Sequence, residues 1–246
     1  MTPEVVTSDV TVTAMKGPRG NAMAEHVAMF ILALARRLQG AVRDHDQRRW
    51  DSEAGTNLAN PYLELRGKTA LVMDVGSIGS AVARICNGGF QMRALGLSPT
   101  TSGDPHVDRY IDRSGLHAAL AEADFVCLTV ALATETEGIM DADAIAAMKP
   151  TAYLINVARG SVVDEAALAD ASRDGRHRRR RPRRVDGAAT TPGQSILGPA
   201  IRDPYTPSSS LTNRFMSDSL DFYAENIRRF GDGEPLMGMV DKDVGY

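Results

Sequence analysis

The chain has 246 residues with a net charge of −3, and 43% of them are hydrophobic while 24% are charged. This composition is typical of a soluble globular protein and excludes a wholly disordered chain or a collagen-like repeat. Two cysteines are too few for a disulfide scaffold and fit a reducing compartment.

The sequence predicts strands that alternate with helices. A long apolar helix over 21–37 is followed by a polar stretch typical of a loop. Strands are then predicted over 69–74, 91–97, 124–130 and 152–157, and helices over 77–86, 115–122, 141–148, 164–173 and 217–230. This alternation indicates βαβ units and an α/β fold with a Rossmann-type, doubly wound parallel sheet.

The longest unbroken apolar run, 27–35, is too short to span a bilayer, so no membrane partner is expected. The N-terminus has neither the basic region nor the apolar region of a secretory signal. These features predict a cytoplasmic protein.

One segment departs from the composition around it. Residues 176–184 read RHRRRRPRR, with seven arginines and no acid. Seven guanidinium groups cannot be buried unpaired, so we expect 176–210 to be an exposed loop outside the core. The run lacks interleaved aromatic residues and a second basic patch, and nucleic acid is therefore not favoured as a partner.

The first predicted strand leads directly into a glycine-rich turn, DVGSIGSAVA. Gly76 and Gly79 occupy the second and third glycine positions of the G-x-G-x-x-G pattern, and Asp74 replaces the first. The amides of Ser77 and Ile78 then lie at a helix N-terminus, where an anion is favoured. The pattern predicts a dinucleotide site; the alternative is a tight turn that binds no ligand.

About 20 residues further on, such units usually have an acid that binds the ribose hydroxyls. Ser98 stands where that acid is expected. A hydroxyl neither requires NAD nor excludes the 2′-phosphate of NADP, and no arginine follows to hold that phosphate. The cofactor therefore remains NAD or NADP.

Several segments resemble the D-2-hydroxyacid dehydrogenase family, which includes phosphoglycerate, glyoxylate/hydroxypyruvate and formate dehydrogenases: GPRGNAMAEHV, VGSIG, ADFVCLTVALATETEGIM, AAMKPTAYLINVARG and FYAENIRRF. The resemblance implies a nicotinamide-binding Rossmann domain over 21–205. It implies that 1–20 and 206–246 are remnants of a second, substrate domain. It further implies a small 2-hydroxy or 2-keto acid as the substrate, and no metal site is expected.

The resemblance also assigns roles to single residues. Arg159 matches the arginine that binds the substrate carboxylate beside the cofactor, because a guanidinium pairs with a carboxylate through two parallel hydrogen bonds. Val157 and Ala158 match the backbone that lies against the nicotinamide. Val130 matches a residue on the adenosine side.

Two further implications concern the chain before the turn. Gly17 and Asn21 match the loop and helix start that face the substrate cleft. The helix over 21–37 matches one that contributes to a dimer interface, so a homodimer is expected; the alternative is an ordinary core helix.

The sequence departs from the family at two functional points. It begins where family members have already completed much of the substrate domain. The family has a catalytic His, in a Pro-His pair before the last helix, whose pKa an upstream Glu raises. Here the nearest aligned pair is Pro204-Tyr205, and no carboxylate–proline pair precedes it.

A reading-frame change would account for the second departure. Omitting one base from the His177 codon lets suitable codons from Gly175 onward read Gly-Arg-Ile-Ala-Gly-Ala-Gly-Leu-Asp-Val, which is the family's buried strand. In that frame the bases of 186–189 can encode Thr-Glu-Pro, and those of 205–208 can encode Thr-Pro-His. We therefore hypothesise a local frameshift over 177–210.

Two functions follow from these expectations. The first is an NAD(P)-dependent oxidoreductase that transfers hydride between nicotinamide and a 2-hydroxy or 2-keto acid, with turnover impaired in this chain. The alternative is a catalytically dead remnant that binds only the nucleotide.

Overall fold

The computed structural model describes residues 3–15, 19–50, 61–98, 103–173, 200–202 and 212–242. Six strands lie within these residues: β1 (Thr69–Met73), β2 (Arg93–Leu97), β3 (Arg109–Ile111), β4 (Phe125–Leu128), β5 (Tyr153–Asn156) and β6 (Ala200–Arg202). They form one parallel sheet in the order β3-β2-β1-β4-β5-β6. This is the strand order of dinucleotide-binding Rossmann sheets, and the predicted fold class is confirmed.

Helices connect these strands and flank the sheet. Within the described parts of the chain they are α1 (Pro3–Val6), α2 (Gly20–Ala35), α3 (Leu38–Asp46), α4 (Ser77–Arg84), α5 (Leu116–Glu122), α6 (Ala142–Ala147), α7 (Glu165–Arg173) and α8 (Phe215–Asp232). Helix α4 continues into a π-helical turn over Ile85–Gly89.

The sheet separates two hydrophobic cores. Alternate residues of β1 point to opposite faces, so Leu71 and Met73 join the core shared with α5, α6 and α7, whereas Ala70 and Val72 join the core shared with α2 and α4. Parallel strands buried on both faces read as continuous apolar runs, which is why these strands could be predicted from sequence.

The expectation of a loop over 176–210 is wrong for the three residues of β6. Leu154 and Asn156 of β5 pair in register with Ala200 and Arg202. An uncovered β5 would leave a row of backbone donors and acceptors without partners, and this short stretch supplies them. The arginine run itself lies outside the described residues.

The two ends of the chain meet. Ala14 N–H donates to the Gly238 carbonyl at 2.8 Å, and Val240 N–H donates to the Val12 carbonyl at 2.9 Å. Phe222 of α8 is buried beside them. The division into a domain over 21–205 and a second domain from both ends stays a prediction.

No helix among the described residues has both the length and the apolar character to cross a membrane.

Candidate functional site

The C-terminal ends of four strands meet at one edge of the sheet. Register aligns Met73 of β1 with Leu97 of β2 and with Leu128 of β4, and Leu128 with Asn156 of β5. Strand order reverses between β1 and β4, and doubly wound sheets bind ligands in the crevice beyond that point. The predicted cofactor residues follow these strand ends and are therefore brought together: Gly76, Ser77, Ile78, Gly79, Ser98, Val130, Val157, Ala158 and Arg159.

The glycine-rich turn has the close packing that a dinucleotide site needs. Gly76 is the extended N-cap of α4, and the helix begins at the exposed Ser77 and the half-buried Ile78. A Cβ at Gly79 would collide with the carbonyl oxygen of Asp74, so α4 packs directly on the end of β1. The first amides of α4 have no acceptor within the helix and favour an anion.

The start of helix α2 packs against α4 and the glycine-rich turn. A Cβ at Gly20 would lie 2.6 Å from the Ser77 carbonyl oxygen, so the two helix starts are in close contact. The Arg84 guanidinium donates to Asn21 Oδ1 at 3.1 Å, which places the predicted cleft residue Asn21 against α4. Gly17 lies outside the described residues.

Thr129, which sequence reasoning missed, connects β4 to the turn. Its hydroxyl donates to the carbonyl oxygens of Met73 and Asp74 at 2.7 and 2.8 Å. This contact holds the start of the turn against the end of β4, next to the buried Val130. A threonine that follows a buried strand was the available signal, but its partners lie more than fifty residues away in sequence.

Asn156, also missed, organises the turn that carries Arg159. Its Oδ1 accepts from the Ala158 amide at 2.9 Å, and its Nδ2 donates to the Arg159 carbonyl at 3.0 Å. Val157 and Ala158 are buried, whereas Arg159 is exposed. The buried amide of Asn156 thus holds the backbone of Arg159 in place.

The Arg159 side chain is available for an anionic ligand. Its Nη1 donates to the Ala158 carbonyl at 3.1 Å. Among the described residues, no carboxylate lies within ion-pair distance of this guanidinium. An exposed guanidinium with free donors at the C-terminal edge of the sheet is suited to a carboxylate ligand.

Ser98 lies at the ribose end of the predicted site. Its amide donates to the Ile111 carbonyl at 3.2 Å, which joins the end of β2 to the end of β3. The nearby Asp112 carboxylate accepts from the Ser114 hydroxyl at 2.6 Å and the Gly115 amide at 3.1 Å. These bonds lower the pKa of Asp112, which caps the following turn.

The described histidines lie elsewhere. His26 of α2 contacts Phe30 edge to face, with ring centroids 4.8 Å apart. His45 is exposed on α3 and His117 is exposed on α5, and the amide of the loop residue His106 donates to Asp104 Oδ1 at 2.9 Å. None of these four follows a strand of the sheet directly, and His177 lies outside the described residues.

The site fits a dinucleotide at all but one of its described positions. The reversal of strand order, the close glycine packing and the free N-terminus of α4 match that ligand. Asp74 is the exception, because it adds a carboxylate to the turn. Its backbone is left-handed, with φ 79°, and burial raises the pKa of its carboxyl group.

Comparison with known proteins also indicates a dinucleotide-binding domain. A profile described as "D-isomer specific 2-hydroxyacid dehydrogenase, NAD binding domain" matches residues 28–179. A glyoxylate reductase from Pyrococcus furiosus is 36% identical over 157 residues, which cover 63% of this chain and 46% of the relative. The chain thus spans about half the length of the curated relatives it matches.

Two solved structures are similar throughout. A D-isomer-specific 2-hydroxyacid dehydrogenase family protein from Aeromonas salmonicida has a TM-score of 0.77 and 28% identity, covering 96% of this chain and 73% of the other. A D-isomer-specific 2-hydroxyacid dehydrogenase from Xanthobacter autotrophicus Py2, in complex with NADPH and MES, has a TM-score of 0.75 and 26% identity, covering 99% and 98%.

Proposed function

Because this chain belongs to the D-isomer-specific 2-hydroxyacid dehydrogenase family, we propose that it binds NAD or NADP and is built to oxidise or reduce a small 2-hydroxy or 2-keto acid. Bound at the site, the nicotinamide supplies or accepts a hydride. The protein contributes binding, orientation and electrostatics. Residues 76–79 hold the phosphates, Ser98 faces the ribose, Val130 lies on the adenosine side, and Val157 with Ala158 lies against the nicotinamide.

The observation that carries this proposal is the turn after β5. Asn156 fixes this turn by accepting from the Ala158 amide and donating to the Arg159 carbonyl, and the guanidinium is exposed at the same edge as the glycine-rich turn. In this position Arg159 binds the substrate carboxylate and polarises the adjacent keto group. Both effects require a fixed, permanently charged donor.

The residues with which the family transfers the proton are missing from this sequence. The sequence as it stands does not contain the family's Glu–His pair, and none of the four described histidines replaces it. Without a general acid and base, the loss in rate is about 10²–10⁴-fold. We therefore propose severely reduced turnover with hydroxypyruvate and glyoxylate; the alternative, a nucleotide-binding remnant, predicts binding without turnover.

The role of Arg159 is tested by titrating oxamate, an unreactive analogue of a 2-keto acid, into the protein with bound NAD or NADP. Arg159→Gln removes the charged hydrogen bonds to the carboxylate, which contribute about 1.5–3 kcal/mol. Oxamate should then bind about 10–100-fold more weakly, and Arg159→Lys should be intermediate. Calorimetry measures both affinities.

The matched control is Arg66→Gln, because Arg66 is also an exposed arginine and pairs with Glu64 before β1 begins. It should leave the affinity for oxamate unchanged. Unaltered oxamate binding by Arg159→Gln would contradict the proposed substrate site. Ordinary turnover by the unmodified chain would contradict the proposed impairment.

We also propose that the chain forms a homodimer through α2. The outward side chains of this helix include Met29 and Leu32, which remain 46% and 43% exposed. Further exposed apolar side chains are Leu38 and Val42 of α3, and Trp50 after it, which is 91% exposed. A second copy of the chain would bury this surface by symmetry.

A cytoplasmic location is proposed as well. Cys86 and Cys127 are both free and buried. Burial raises the pKa of Cys86 to about 12 and that of Cys127 well above its usual value, so both remain protonated at neutral pH. Two unreactive free thiols support a reducing compartment.

A further inference from the structure

Asp74 is the residue of the glycine-rich turn that the proposed dinucleotide site does not explain. It stands where the pattern has its first glycine, and its φ of 79° lies in the left-handed region that favours glycine. Its amide donates to the Leu97 carbonyl at 2.8 Å, and its carbonyl accepts from the Thr129 hydroxyl at 2.8 Å. Strands β2 and β4 thus hold its backbone on both sides.

The packing of α4 blocks the remaining direction. The Asp74 carbonyl oxygen lies 1.9 Å from the point that a Cβ of Gly79 would occupy, so α4 packs closely against the backbone of Asp74. The direction of its side chain is therefore set by the fold. This direction places Oδ2 3.2 Å from the point that a Cβ of Gly76 would occupy.

The carboxylate therefore lies beside the N-cap of α4, the corner that receives phosphate groups in this fold. Among the described residues, no group donates a hydrogen bond to either carboxylate oxygen, and burial alone accounts for the raised pKa of Asp74. An ionised Asp74 and a bound pyrophosphate would place like charges close together at a partly buried site, where screening is weak.

Among the described residues, those in contact with Asp74 carry no compensating charge. They are Leu97 from β2, Thr129 after β4, the N-cap Gly76, and Gly79 from α4. Burial is what raises the pKa of the Asp74 carboxyl group, and this acts in the same direction as a neighbouring anion.

We propose that Asp74 couples dinucleotide binding to the uptake of one proton, so that the cofactor binds tightly to the form of the protein in which Asp74 is neutral. This rests on the proposed function, because the ligand is the dinucleotide of that site. A bound pyrophosphate stabilises the protonated carboxyl group, and the proton must be taken from solvent at any pH where free Asp74 is ionised. Affinity is then highest at acidic pH and falls as pH rises.

The test is calorimetric titration with NAD and with NADP, in their oxidised, acid-stable forms, between about pH 5 and about pH 8. For the unmodified chain, the dissociation constant should rise with pH, by up to about tenfold per pH unit above the pKa of Asp74. Titration in two buffers with different ionisation enthalpies should show proton uptake on binding at the upper end of this range.

Two variants isolate the carboxylate. Asp74→Asn keeps the shape and tolerates the left-handed backbone, and Asp74→Gly restores the glycine of the pattern. Both should bind about tenfold or more tightly than the unmodified chain at pH 8, with no proton uptake at this site. Asp143→Asn, an exposed carboxylate in the first turn of α6, is the matched control and should retain the full pH dependence.

The possible results distinguish a failure of the role of Asp74 from a failure of the proposed function. Dinucleotide binding with a flat pH profile, or an Asp74→Asn variant with the original pH dependence, would overturn the role of Asp74 and leave the proposed function standing. If the unmodified chain and both variants bind neither dinucleotide at any pH, the proposed function fails and this inference fails with it.

Discussion

At the scale of single residues, the site depends on one close approach. Gly79→Ala would place a methyl group against the Asp74 carbonyl oxygen, and overpacking of this kind costs about 1–3 kcal/mol. We expect a melting temperature several degrees lower and weaker dinucleotide binding, because relief of the collision moves α4 away from β1. Thermal unfolding followed by circular dichroism, together with calorimetric titration, measures both effects.

The control for this substitution is Gly40→Ala. Gly40 lies in α3, and nothing is within 4 Å of the position that its Cβ would occupy. Alanine is a better helix former than glycine by up to about 1 kcal/mol, so stability should be unchanged or slightly higher. A Gly79→Ala protein that is as stable as this control would show that α4 does not need glycine there.

At the scale of elements, the apolar runs located most of the sheet and failed where strands are short. The buried strands β1, β2, β4 and β5 were predicted, with ends that are one or more residues too long. The unpredicted β3 has three residues, none of them fully buried. It forms by pairing with the backbone donors and acceptors at the outer edge of β2. Its sequence has no apolar run that could have indicated it.

The edge strand β6 lies within the segment 177–210 for which we hypothesise a frameshift, and that hypothesis predicts a change in the gene. The match to the family profile ends at residue 179, close to His177, where we propose that the reading frame changes. Resequencing the DNA that encodes 175–211 should find a one-base difference near the His177 codon, compensated near Leu211. The corrected protein would regain the family's Glu and His, and we expect its turnover with glyoxylate to rise.

If the DNA encodes residues 177–210 as they stand in this sequence, the frameshift hypothesis is wrong. The chain would then keep the nucleotide site without the pair that transfers the proton. Dinucleotide binding without turnover would identify it as the remnant described above.

At the scale of the whole molecule, the proposed homodimer predicts a mass of twice the 26.4 kDa chain. Met29→Glu combined with Leu32→Glu places charge on the outward face of α2 and should give monomers. Light scattering coupled to size-exclusion chromatography measures this mass.

The comparison variant is Leu220→Glu on α8, another helix with an exposed apolar face: Met216, Leu220, Tyr223, Ile227 and Phe230. It should remain dimeric if α2 forms the interface. Loss of the dimer in Leu220→Glu, with dimers retained in the α2 variant, would move the interface to α8.

The fold class, the family and the candidate positions could be predicted without the structure, because buried parallel strands and a glycine-rich turn are local patterns of composition and spacing. Asp74 was also evident as a departure from that pattern. The groups that hold the site in place became known from the folded chain. Thr129 contacts the end of β1, and Asn156 braces the turn at Arg159, through bonds whose directions depend on how the chain is folded. The position of the Asp74 carboxylate beside Gly76 was decided in the same way, by backbone contacts with β2, β4 and α4 that lie too far apart in sequence to form a local pattern.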